Sequence, residues 1–374
     1  MSGNSATPSF EFATATRIIF GTGKLAEAPN AIEPFGRRVF VVTGRTPDRA
    51  EPLLGVLSNF DCTTHCIPGE PKISDLQAGL DAVRDSDVIV AIGGGSAIDA
   101  GKAIAALATN PGEPQNYLEV IGSGQPLTET PLPFIAIPTT AGTGAEVTRN
   151  AVLASPEQRV KVSLRHPLML PNVAIVDPEL TYDLPPAITA ATGMDTLTQL
   201  IEPFTCRHAN PLTDALCREA IPRAATALPR VFAGDQAARA DMTFASLSGG
   251  LALANAGLGA VHGFAAPLGG MFPAPHGAVC AALLPHVFAA NARHTPERFV
   301  EVSNMLGAGK TVEAGTQWLR NLAANLNIPG LAIYGIAEKD FPALISKARN
   351  ASSMKANPVD LSDEELTKIL AAAM

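Results

Sequence analysis

The pattern of apolar positions changes halfway along the chain. In the first half, short runs rich in β-branched residues alternate with segments of helical periodicity. RRVFVVTG (Arg37–Gly44) ends in glycine, DLQAGLDAVRD reads as a helix, DVIVAIGGG (Asp87–Gly95) repeats the strand pattern, and PFIAIPTT (Pro133–Thr140) follows. Strands that are apolar at nearly every position are buried on both faces, and intervening helices supply the cover, so the pattern predicts a doubly wound parallel sheet. After about residue 180 these runs give way to Ala/Leu-rich helical segments such as NPLTDALCREAIPRAATALPRVF and DMTFASLSGGLALANAGLG. Pro185, Pro186, Pro211, Pro222 and Pro229 read as helix starts or breaks. LSDEELTKILAAA closes the chain as a helix with Ser362 at its N-cap and Glu365 three residues on. The division falls in DPELTYDLPP (Asp177–Pro186), giving an α/β domain over 1–180 and an all-α domain over 181–374.

Composition narrows the partners. A length of 374 residues exceeds one ordinary core and fits two domains, with no internal repeat or low-complexity tract. The net charge of −8 provides no basic footprint for nucleic acid or an anionic membrane. The N-terminus lacks a basic start followed by an apolar core, and no later segment has the length of a membrane span, so a cytoplasmic protein is expected. Its cysteines, Cys62, Cys66, Cys206, Cys217 and Cys280, are odd in number and scattered, which argues against a disulfide framework. Cys62, His65 and Cys66 hint at zinc, but no second Cys/His pair completes a tetrahedral set.

Gly93, Gly94 and Gly95 end a buried strand, and SAIDAGKAIAA begins a helix. Bare backbone N–H groups at the positive end of a helix, at the carboxyl edge of a parallel sheet, favour a nucleotide phosphate. A P-loop is excluded by Ser96 and Ala103, where Gly and a hydroxyl would stand around Gly101 and Lys102, and GxGxxG is absent. The loop PTTAGTGAEVT (Pro138–Thr148) adds hydroxyls from Thr139, Thr140 and Thr143, suited to a ribose or pyrophosphate.

GMDTLTQLIE (Gly193–Glu202) places Asp195 and Gln199 on one helical face, a spacing that serves a metal or merely a helix start. Further on, His262 and His276 are each followed by glycine, Gly263 and Gly277, which is expected to leave open space around the imidazoles; His286 reads as a core residue. If the helix packs on this stretch, two imidazoles, a carboxylate and an amide converge as ligands for a divalent ion.

Taken together, FGTG (Phe20–Gly23), GGGSAIDAGK, PTTAGTGAEVT, Lys161, VDPEL (Val176–Leu180), GMDTLTQLIE, LGAVHGFAAPLGG, PHGAVCAALLPHV and the NPV near the C-terminus resemble the iron-containing (group III) alcohol dehydrogenases over nearly the whole chain. The resemblance implies an N-terminal dinucleotide-binding domain, a helical domain, and a cleft where a nicotinamide cofactor meets a metal-bound alcohol or aldehyde. By position it implies Gly94, Gly95 and Ser96 on the pyrophosphate, with Asp99, Thr140, Thr143 and Lys161 along the cofactor. It also implies Asp195, Gln199, His262 and His276 around Fe²⁺ or Zn²⁺, with Asp195, His262 and His276 at the chemical centre, and a homodimer or larger homo-oligomer. Two positions depart from the family pattern: Gln199 stands where most members have His, and Ala266 where LGAxHGxxHPLG has another His.

After the strand ending at Thr43, Gly44, Arg45 and Thr46 put no carboxylate where NAD-preferring relatives tend to hold the ribose 2′-hydroxyl, and Arg45 or Arg49 suits a 2′-phosphate. NADP(H) is therefore the expected preference. Alternative activities are a maleylacetate reductase-like reaction, which wants a basic cluster within 193–286, and a dehydroquinate synthase-like lyase, which wants Lys and Arg absent from 192–199. A cofactor-binding protein that has lost its metal is the third.

Overall fold

The computed structural model describes residues 9–374, so the first eight residues of the N-terminal stretch read above as lacking a basic start and apolar core lie outside the described residues. Among the described residues, eight strands occupy Arg17–Phe20 (β1), Arg38–Thr43 (β2), Asp61–Cys66 (β3), Val88–Gly93 (β4), Phe134–Pro138 (β5), Asn150–Ser155 (β6), Val160–Arg165 (β7) and Val173–Val176 (β8). Helices Ala28–Ile32 (α1), Glu51–Val56 (α2), Ile73–Ala82 (α3) and Gly95–Leu107 (α4) lie among them. Six strands form one wholly parallel sheet in the spatial order β3-β2-β4-β5-β8-β1. Every residue of β4, β5 and β8 is buried, as the unbroken apolar runs require, whereas the edge strand β3, DCTTHC, is largely exposed and polar.

The chain leaves β2 for β3 on one side and returns to β4 on the other. A crevice therefore opens between the carboxyl ends of β2 and β4, where the strand order reverses. Two sequence motifs meet at the far edge: Asp177 accepts from the backbone N–H groups of Gly23 and Leu25 at 3.1 and 2.9 Å, which ties VDPEL to FGTG. The antiparallel hairpin β6–β7 is an addition that continuous apolar runs do not announce, because its buried positions alternate with half-buried ones.

From Pro186 onward the chain is helical: Pro186–Thr205 (α5), Pro211–Phe232 (α6), Arg239–Ala256 (α7), Ala260–Met271 (α8), His276–Ala292 (α9), Pro296–Met305 (α10), Val312–Asn325 (α11), Phe341–Asn350 (α12), Ser352–Ala356 (α13) and Asp363–Ala372 (α14). Pro186 and Pro211 open helices, but Pro222 and Pro229 do not break one and sit inside α6. An interior proline costs about 3 kcal/mol. The stripe Cys217, Ala220, Ile221, Ala224 and Leu228, fully buried against its neighbours, outweighs it. Ser362 and Glu365 form the expected capping box on α14. No single helix among the described residues is long and apolar enough to cross a membrane.

Candidate active site

The site lies where α5, α8 and α9 meet the carboxyl edge of the sheet. Gly94 is the N-cap of α4 and no side chain caps the helix, leaving its first N–H groups for a ligand. The second loop closes over this turn: a Cβ on Gly95 would lie 2.9 Å from the Thr143 side chain, and one on Gly94 3.4 Å from Thr140. Gly44 flanks the same turn, its backbone nitrogen 3.4 Å from where a Cβ on Gly93 would project. The fold thus gathers Gly44, Gly94, Gly95, Ser96, Thr140 and Thr143. Thr139 is buried, with its N–H on the Gly93 carbonyl.

The remaining positions with an expected cofactor role are held by protein groups. Asp99 accepts from the Val152 N–H at 3.0 Å, and burial raises it to about 6 against the pull of Lys102. Lys161 pairs with Glu70 at 2.9 Å and lies against Gly269 of α8, so it bridges hairpin and helical domain. Arg45 is exposed; Arg49 donates to the Leu180 carbonyl at 2.8 Å, in a turn that also carries the exposed Asp48.

The loop is pinned to the helix that carries the acid. Thr196 of α5 donates to the Ala141 carbonyl at 3.3 Å, and a Cβ on Gly142 would strike Thr192. Gly144 has φ +60° and backs onto Gly250 of α7, where a Cβ would come within 2.4 Å of the Gly250 Cα, so only glycine fits.

Between Thr192 and Thr196, Asp195 is 2% exposed and its two oxygens face different ways. Oδ2 accepts from Gln199 Nε2 at 3.0 Å, as the four-residue spacing requires. Oδ1 lies 3.4 Å from His262 Nε2 and 3.5 Å from His276 Nε2 and has no hydrogen-bond partner. Gln199 Oε1 is also buried without one. Burial works against charge on Asp195, but His276 and His262 hold it well below the usual carboxylate range. The imidazoles respond in kind: burial opposes their charging, while Cys280 and Asp195 outweigh it and raise His276 to about 10 and His262 well above its ordinary value.

The glycines after the histidines do not open space. A Cβ on Gly277 would lie 2.3 Å from the Ala191 carbonyl oxygen and one on Gly263 2.9 Å from Met354, so both mark close packing that brings α9 onto α5 and α8 onto α13. His286 is half-buried and stands outside the cluster.

Three participants were not among the expected site residues. Glu202, two turns along α5 from Asp195, takes His262 Nδ1 at 2.6 Å on Oε2 and the Val261 N–H at 2.7 Å on Oε1, which directs His262 Nε2 toward Asp195. Asn357, from the NPV motif, accepts from the Ala260 N–H at 3.0 Å and exchanges amide hydrogen bonds with Asn291, fixing the start of α8. Cys280, one turn after His276 on α9, brings Sγ to 3.7 Å from His276 Nε2 and 3.9 Å from His262 Nε2. Asp195, His262, His276 and Cys280 present ligand atoms all within 4.8 Å of one another.

Comparison with known proteins agrees with this architecture. The iron-containing alcohol dehydrogenase model matches residues 15–178, and the C-terminal model of the Fe-containing alcohol dehydrogenase family matches 189–374. Alcohol dehydrogenase 4 of Schizosaccharomyces pombe is 35% identical over 99% of this chain and 90% of its own length. Lactaldehyde reductase of Escherichia coli K12 is 34% identical over 94% and 96%. A crystal structure of 1,3-propanediol oxidoreductase superposes with a TM-score of 0.92 at 32% identity, covering 98% of this chain and all of that one.

Proposed function

The chain belongs to the iron-containing alcohol dehydrogenase family and interconverts alcohols with aldehydes or ketones using NAD(P), and we propose that Asp195, His262 and His276 hold the divalent ion at which it does so. The observation that carries this assignment is the buried Asp195 Oδ1, unpartnered and facing two imidazole nitrogens. Such a donor set fits a borderline cation, and burying an unpaired carboxylate oxygen beside basic nitrogens is otherwise costly.

Bound there, the ion would polarise a carbonyl for hydride attack, stabilising the developing alkoxide by several kcal/mol. The chain's own groups do the positioning. Glu202 accepts the Nδ1 proton of His262 and thereby keeps Nε2 as the ligand atom. His276 is the ligand open to the cleft, its side chain 32% exposed, so the substrate approaches from its side. We assign the pyrophosphate to the N–H groups at Gly94, Gly95 and Ser96, with Thr139, Thr140, Thr143, Asp99 and Lys161 lining the cofactor's path within 1–180, and the metal and substrate to 181–374. Ala266 carries no ionisable group, so no side chain at that position would relay a proton to the reacting oxygen; water or a cofactor ribose hydroxyl would have to supply it.

The exposed Arg45 beside Gly44 supports a preference for NADP(H), its guanidinium being suited to a 2′-phosphate. Metal-loaded protein should oxidise NADPH against short aldehydes with a kcat/KM at least roughly tenfold above that for NADH, about 1.4 kcal/mol of discrimination. Arg45→Ala should remove that margin. A tenfold bias toward NADH refutes the cofactor assignment. A protein that binds NADPH but neither holds metal nor turns over supports the metal-free alternative.

A further inference from the structure

We propose that Cys280 is the fourth protein ligand of the metal, in place of residue 199, so that this chain carries an Asp–His–His–Cys centre that favours Zn²⁺ over Fe²⁺. The inference rests on the metal-dependent reading above and concerns only which atoms hold the ion and which ion they prefer.

The distances form the first ground. Bonds of about 2.0–2.3 Å to one zinc ion set tetrahedral ligand atoms about 3.3–3.6 Å apart. Asp195 Oδ1 stands 3.4 and 3.5 Å from the two Nε2 atoms, and Cys280 Sγ stands 3.7 and 3.9 Å from the same two. These four distances lie within a few tenths of an ångström of that range, and all the ligand atoms lie within 4.8 Å of one another.

Among the described residues, Gln199 makes its one side-chain hydrogen bond through its amide nitrogen, while its Oε1 is buried without a partner. Its Nε2 donates to Asp195 Oδ2, the oxygen turned away from the imidazoles, and a carboxylate there requires the amide nitrogen on that side. Gln199 therefore orients Asp195 from behind. Its amide oxygen is a neutral donor, weaker than imidazole or thiolate.

The ligand chemistry is the third ground. Cys280 is fully buried, and neither solvent nor a second cysteine of the chain engages it. Taken up as thiolate with release of its proton, it joins Asp195 in balancing the charge of a divalent ion, whereas one carboxylate with three imidazoles would leave one positive charge over. Thiolate is a soft ligand and moves preference toward zinc. The i, i+4 spacing of His276 and Cys280 on α9 mirrors that of Asp195 and Gln199 on α5, so a ligand absent from one helix is supplied by the other.

Protein stripped with chelator and reloaded with Co²⁺ tests this directly. A sulfur-to-cobalt charge-transfer band in the near ultraviolet is expected in the unaltered protein and in Gln199→Ala, and its loss in Cys280→Ala. Zn²⁺ affinity, measured by chelator competition, should fall in Gln199→Ala by no more than the roughly 10–100-fold typical of an outer-shell partner, and by more than that in Cys280→Ala. X-ray absorption at the zinc edge of the unaltered protein needs no variant and should show one sulfur at about 2.3 Å. An all-nitrogen-and-oxygen shell with no cobalt–sulfur band overturns the proposal while leaving the dehydrogenase reading intact if aldehydes are still reduced. A sulfur-bound ion with no aldehyde reduction upholds it and overturns that reading instead. Protein that takes up neither ion overturns both.

Discussion

At the scale of single residues, Glu202 shows how much of the proposed metal site lies behind its ligands. Its two oxygens are both engaged, one on His262 Nδ1 and one on the Val261 N–H, so the carboxylate sets the ring's tautomer and its angle together. Glu202→Gln replaces a charged acceptor by a neutral one and offers an N–H where one oxygen must accept. Zn²⁺ affinity should fall roughly 10–100-fold, with cofactor binding unchanged, which chelator competition and NADPH titration would measure separately. Equal losses in both would mean that Glu202 supports the fold rather than the ligand. Asp195 divides its work in the same way, one oxygen toward the imidazoles and one toward Gln199.

Among the elements, α4 has two roles. Its N-terminus presents Gly94, Gly95 and Ser96, and two turns later the fully buried Lys102 donates to the Ala145 and Asn150 carbonyls at 2.8 Å and to Thr148 Oγ1 at 3.0 Å. Lys102, whose neighbour Ala103 denies the chain a P-loop, thus staples the loop Pro138–Thr148 to α4. Beside it, burial pushes Lys102 down to about 8 and Glu146 up to about 7. Because Glu146 keeps its proton in the folded chain from its ordinary 4.5 up to about 7, the folded state binds more protons across that window, and stability falls as pH rises through it. The full effect above pH 7 is on the order of 3 kcal/mol. Asp99, raised to about 6 by burial, adds a decline of the same sign that ends earlier. In urea unfolding at pH 5 and pH 7.5, Glu146→Gln should shrink the loss between the two; an unchanged difference would show that Glu146 is ionised in the fold.

For the molecule as a whole, the two halves depend on different things. All the proposed ligands come from α5, α8 and α9, whereas the glycine turn and its partner loop belong to the sheet. Metal removal should therefore lower the Tm of the helical half, while NADPH affinity in the stripped protein should stay within a fewfold. At a hundredfold excess of ion over its Kd the stabilisation withdrawn is about 2.7 kcal/mol. The halves are also fastened directly, through Thr196 on the Ala141 carbonyl, Gly144 on Gly250 and Lys161 beside Gly269. If chelation abolishes NADPH binding, those fastenings transmit the state of the metal site to the cofactor loop. Scanning calorimetry paired with cofactor titration distinguishes the two outcomes.

The architecture was legible in the sequence because burial on both faces leaves a one-dimensional trace: β4, β5 and α14 stand where apolar runs and a capping box put them. Asp195 and Gln199 were legible as a pair for the same reason, since a helix repeats at short range. Long-range packing decided the rest. Pro222 and Pro229 read locally as breaks and became interior residues because burial of α6 outweighs their cost. Gly263 and Gly277 read as open space and proved to be points of contact, because a missing side chain looks the same in a sequence whether water or another helix fills its place. Cys280 was visible as one of five scattered cysteines, and its four-residue spacing from His276 is the local signal that sets it apart from Cys217, which is equally buried. Its place beside His276 follows from one helical turn, but only the packing of α8 on α9 brings its sulfur to His262, and only α5 adds Asp195, since convergence of the full set is a property of three helices at once and of none alone.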